Sequence, residues 1–143
     1  MREIDRSKSL QQLENNDWGE PTFDSHLVKE CHRLHRLPLQ DFTIEDLRIT
    51  IGQNIGLEYL IPLALERLQN DPFAEGAYYP CDLLVGVLGT DAKFWQGHTV
   101  LRDRLLSIAQ RAIEMLPSKQ GIAGKTGTKA ITRAFDEFKK LQV

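Results

Sequence analysis

The chain has 143 residues, 41% hydrophobic and 27% charged, a length and composition that allow one core without staples and exclude a disordered chain. Its formal charge of −2 hides a polarity: residues 1–98 carry nine Lys+Arg against 16 Asp+Glu, a balance of −7, and residues 99–143 carry nine against four, a balance of +5. The longest apolar stretch, 57–68, is broken by Glu58, Glu66 and Arg67, which excludes a membrane-spanning helix.

Read in chain order, the pattern is helical. Ser9 with Gln12 three residues on predicts a capped helix over 9–16, and Trp18-Gly19-Glu20-Pro21 ends it. A second helix starts near Asp24 or Ser25 and runs to about Arg36, with Leu27, Cys31 and Leu34 on one face and Pro38 as its stop. Thr43 caps a third, with Asp46 at the positive helix end. Ile44, Leu47 and Ile51 share a face, and Gly52 and Gly56 weaken the far end.

Residues 57–69 are apolar nearly all round, as in a central helix; Pro62 either opens that helix or kinks it. Residues 71–81 form a loop bearing Phe73, Tyr78 and Tyr79, and short helices follow at 82–88 and 91–96. Thr99 caps a long helix to Leu116 with the stripe Leu101, Leu105, Ile108, Ala112 and Met115. Pro117 stops it, 118–127 is a basic, glycine-rich loop, and a last helix over 128–141 aligns Ile131, Phe135 and Phe138. The expectation is all-α: a single-domain, irregular bundle of about six to seven helices spanning 1–143.

The chemistry-bearing motifs are incomplete. Gly124-Lys125-Thr126 ends like a phosphate-binding loop, but Lys119 stands where the pattern needs glycine, and no strand leads into it. Cys31 and His35 lie one helical turn apart, yet zinc needs four ligands, and Cys81, His26 and His98 offer no second tight pair. A buried free thiol is the simpler reading for Cys31. Glu45 and Asp46 are adjacent on a helix and point apart, so they read as a solvated first turn. No local signature of a nucleophilic triad is present. The chain is therefore expected to be neither an enzyme nor a cofactor or metal binder. With no signal core after Met1 and no disulfide framework, it reads as cytoplasmic.

Two surfaces remain as binding candidates. Trp18 with Glu20, and Asp71, Glu75, Tyr78, Tyr79 and Asp82 around the aromatic loop, would suit a basic protein partner, because Tyr and Trp bury large area while keeping a polar tip. The competing reading is structural: Trp18 and Tyr79 plug the core and Asp82 caps a helix. Lys119, Lys125, Lys129, Arg133, Lys139 and Lys140 form a basic carboxy-terminal third. That patch supports the alternative of a small nucleic-acid-binding regulator, though it lacks interleaved exposed aromatics.

The ordered segments L-V-K-E-C-H-R-L (27–34), P-L-Q-D-F-T-I-E-D-L-R (38–48), I-G-Q-N-I-G-L-E-Y-L-I-P-L-A-L-E (51–66) and Y-Y-P-C-D-L-L (78–84), with Phe94-Trp95, resemble the immunity proteins of contact-dependent growth inhibition (CDI) systems. The resemblance covers roughly residues 9–110, and it has glycine where this chain has Cys81. It implies a cytoplasmic protein of Gram-negative bacteria. Such a protein binds the carboxy-terminal toxin domain of a cognate effector, often a nuclease, and neutralises it without catalysis. No direct contact with nucleic acid or membrane is implied. Nuclease toxins present basic surfaces, and the −7 balance of residues 1–98 complements them.

Overall fold

Caps written in the sequence start most of the helices. The computed structural model describes residues 3–141, except for the side chains of 117–125, and the described residues contain no strand. Helix α1 spans Leu10–Glu14, where the Ser9 hydroxyl accepts from the Gln12 amide and the Gln12 side chain accepts from the Ser9 amide. Helix α2 spans His26–His35 behind the cap Ser25, and α3 spans Ile44–Gly52 behind the reciprocal pair Thr43 and Asp46. Between them a 3₁₀ turn over Leu39–Asp41, absent from the expected elements, is fixed from a distance. Its Leu39 and Gln40 amides donate to the Lys8 and Arg6 carbonyls at 3.0 and 2.9 Å.

Helix α4, Leu57–Asn70, is the central one. Leu60, Ile61, Ala64, Leu65 and Leu68 are all fully buried, four of them large side chains that stabilise by about 1.5–3 kcal/mol each. That outweighs the roughly 3 kcal/mol cost of Pro62, which lies inside the helix and does not open it. The opening falls to Gly56, held at φ +61°, where a Cβ would meet Leu10 Cδ1 at 2.7 Å. Glycine is therefore required there both for its dihedral angle and for the close approach of α1. At the far end Arg111 donates to the Gln69 carbonyl at 2.7 Å and satisfies a helix terminus from another element.

Helices α5 (Asp82–Leu88) and α6 (Ala92–Gln96) follow, then α7 (Thr99–Leu141). The helical assignment of α7 runs without a break, whereas the sequence predicts a stop at Pro117 and a loop over 118–127. The side chains of 117–125, Lys119 and Lys125 among them, lie outside the described residues. The run is not straight. A 43-residue rod would be roughly 65 Å long, yet the Phe138 ring sits 5.6 Å from that of Trp95, just before the run begins. Two arms result. In 99–116 the side chains of Leu105, Ile108, Ala109 and Ala112 are buried; in 126–141 those of Ile131, Phe135 and Phe138 are.

One contiguous apolar cluster joins α1 through both arms, with Trp95 fully buried at its end. Helix α2 departs in one detail. Cys31 and Leu34 are buried as expected, but Leu27 is 42% exposed and His35 is buried. The inward face is thus 31, 34 and 35, at i, i+3 and i+4 spacing.

Candidate functional site

The loop between α4 and α5 is held by carboxylates. At its start Asp71 Oδ1 accepts from the Phe73 amide at 3.0 Å, and Phe73 turns into the core. Three consecutive amides follow the same rule: Gly76 donates to Asp82 Oδ1 at 2.6 Å, Ala77 to Glu45 Oε1 at 2.8 Å, and Tyr78 to Asp82 Oδ2 at 3.1 Å. Asp82 opens α5 and is buried; Glu45 opens α3. No room is left at Gly76, where a Cβ would collide with Glu45 Oε1.

Arg48 ties these anions together. Its Nε and Nη2 donate to Glu45 Oε1 and Oε2 at 2.7 and 2.6 Å, and its Nε lies 4.0 Å from Asp82 Oδ2. These bonds hold the Glu45 carboxyl below its usual range, with the Ala77 amide adding to the effect. The guanidinium carbon stands 4.5 Å from the centroid of the Tyr78 ring. The two tyrosines then part. Tyr79 packs against the core and its phenol pKa is pushed up by burial, whereas Tyr78 is 71% exposed. Asp71 and Glu75 are exposed on the same loop. Two carboxylates, Glu45 and Asp82, therefore flank one guanidinium, with an aromatic ring standing outward beside it.

Among the expected contact residues, Asp82 differs most in placement. Its carboxylate is turned inward to the loop amides, although the sequence groups it with a partner-facing set. Asp82 is the first residue of α5, and the amides that reach it lie four and six residues earlier, so no helix-cap spacing announces the bond. Glu45 is the converse. It reads as a solvated first turn, but its partner Ala77 lies 32 residues away.

The Trp18 neighbourhood folds inward. The indole stacks on the His35 imidazole with centroids 3.8 Å apart and planes 10° apart, and meets His32 edge-on. His35 Nε2 lies 2.7 Å from Glu14 Oε1, so the imidazole proposed beside Cys31 is engaged elsewhere. Burial pushes the Cys31 thiol pKa up. Glu20 stays exposed, 3.5 Å from Arg36 Nη1. Among the described residues no group of three or more His, Cys, Asp or Glu side chains is arranged to hold a metal ion.

Cys81 precedes α5 at φ +68°, fully buried, with Sγ 3.5 Å from the Gly127 carbonyl and its pKa pushed up to about 12 by burial. This left-handed angle is one that glycine adopts without strain. On the second arm Lys129, Arg133, Lys139 and Lys140 are exposed, with Arg133 paired to Glu137 and Lys139 to Asp136. No helix among the described residues is long and apolar enough to cross a membrane.

A family model described as CDI immunity proteins matches residues 12–105, a span that contains α2 to α6 and the whole carboxylate-held loop. No curated protein and no solved structure matches the chain.

Proposed function

The chain belongs to the family of CDI immunity proteins, and we propose from that premise that it binds and neutralises the carboxy-terminal toxin domain of a cognate CDI effector. It acts in the cytoplasm, without catalysis or cofactor, by covering the toxin's active cleft. The toxin is a nuclease whose basic cleft meets the acidic loop.

One observation carries the surface assignment: Tyr78 stands 71% exposed on a loop that bears the exposed Asp71 and Glu75 and is gripped by Asp82 and Glu45, with the Arg48 guanidinium against its ring. Tyrosine is an efficient interface anchor, because a large ring with few torsions is buried at low entropic cost. Asp71 and Glu75 supply charge at the rim, where it speeds encounter. Tyr79 and Asp82 support the loop from beneath, and Trp18 and Glu20 form a secondary contact.

Mixing the purified protein with the toxin domain encoded beside it tests the reading. Stoichiometric protection of a nucleic-acid substrate is expected, and no binding at micromolar concentration would end the proposal. The exposed lysines of 126–141 favour the second reading, a nucleic-acid-binding regulator. That reading requires salt-sensitive binding of DNA or RNA by the protein alone.

A further inference from the structure

An exposed aromatic ring contributes little to folding, and in most loops it samples many rotamers. Tyr78 is different on both counts of geometry. Its backbone amide is bonded to Asp82, and its ring lies against the Arg48 guanidinium at 4.5 Å. The two amides before it are bonded to Asp82 and Glu45. Arg48 touches every member of this set: it forks onto Glu45, lies 4.0 Å from Asp82 and backs the ring. It offsets one of the two negative charges that grip the loop, and its flat guanidinium covers one face of the ring.

The electrostatics select the kind of surface that comes to the other side. Arg48 is spent on Glu45 and Asp82, so the positive charge beneath the ring is already compensated. Asp71 and Glu75 add exposed negative charge on the same loop. A cationic side chain is attracted by both the ring and the carboxylates, while an acidic surface is repelled by the surplus.

We infer that Arg48 is a positioning residue for partner recognition, which holds Tyr78 ready on its loop for a cationic surface of the bound protein. The inference rests on the toxin-binding reading above and adds how the surface is made ready. A pre-ordered side chain spares the ordering cost otherwise met on binding, and that saving corresponds to a few-fold to about tenfold in affinity.

The test is a double-mutant cycle on binding to the toxin domain encoded beside this chain, using Arg48→Met, Tyr78→Ala and the pair. Circular dichroism and the thermal midpoint are read for each variant. Tyr78→Ala is expected to weaken binding about 30-fold or more, and Arg48→Met about three- to tenfold. The double variant is expected to bind about as Tyr78→Ala alone, because Arg48 acts through the ring. A purely structural arginine gives losses that multiply, and that result overturns the inference; so does unchanged binding in Arg48→Met. If Arg48→Met does not fold, Arg48→Lys serves in its place. It keeps the charge but lacks the fork and the flat stacking surface, and the same coupling is expected. Wild-type protein that binds while Tyr78→Ala binds equally well sinks this inference and leaves the toxin-binding reading standing. Wild-type protein that fails to bind sinks the reading itself.

Discussion

Trp18 and Tyr78 are both aromatic residues beside acidic ones, and in sequence they look like equivalent anchors. The fold treats them in opposite ways. Trp18 lies flat on a buried histidine and closes the gap between the α1–α2 connection and α2. Tyr78 lies against an arginine already saturated by carboxylates and faces water. The difference comes from what each ring meets across the chain. An imidazole with only 1% of its surface exposed needs a cover, whereas a salt-bridged guanidinium at a surface is a platform.

The comparison breaks most readily through stability. Trp18→Ala uncovers His35 and is expected to lower unfolding free energy by about 2–3 kcal/mol, below the range for a fully buried tryptophan because Trp18 is half-buried. Tyr78→Ala is expected to change it by less than about 0.5 kcal/mol. Urea titration of both variants reads this directly, and equal losses would remove the distinction.

Next in size is Glu14→Ala. Among the described residues His35 Nδ1 has no hydrogen-bond partner, and this change strips Nε2 of the Glu14 carboxylate, leaving a buried imidazole without either bond. A loss of about 1–3 kcal/mol is expected in the same titration.

The Tyr78 side is sharpened by pH. Glu45 is held below its usual value of 4.5, so its bonds stabilise fully above that pH and are lost as the pH falls through the lower folded value. Exchange of the Ala77 amide is expected to lose protection on acidification below about pH 4.5, and Glu45→Gln should flatten that limb. An unchanged profile in Glu45→Gln would place the loop's hold elsewhere.

The smallest effect is expected at Cys81. Cys81→Gly relieves a left-handed residue, worth about 1–2 kcal/mol, but empties the space of a buried thiol, so the two terms nearly cancel. In the folded wild type the thiol, with its pKa pushed up to about 12, should resist alkylation when followed by mass spectrometry.

Local features were legible in the sequence because their causes are local. Ser9, Ser25 and Thr43 cap the helices they precede, and the all-round apolar pattern of 57–69 marks the central helix. What stayed hidden depends on distant partners. Glu45 gains its role from an amide 32 residues away, and Asp82 turns inward because the Gly76 and Tyr78 amides reach it. The doubling back of α7 is recorded by the contact of Phe138 with Trp95, which no pattern within the helix announces. The sequence offers Tyr79 both as a core plug and as a contact residue, and the core claims it, while what stands against Tyr78, the Arg48 guanidinium from α3, is not announced by the loop.

The most direct measurement is hydrogen exchange of this chain with and without the toxin domain encoded beside it. Protection that appears over residues 71–82 and leaves 126–141 unchanged is the expected result. Protection confined to the lysine-bearing arm 126–141 would contradict the acidic-loop mechanism.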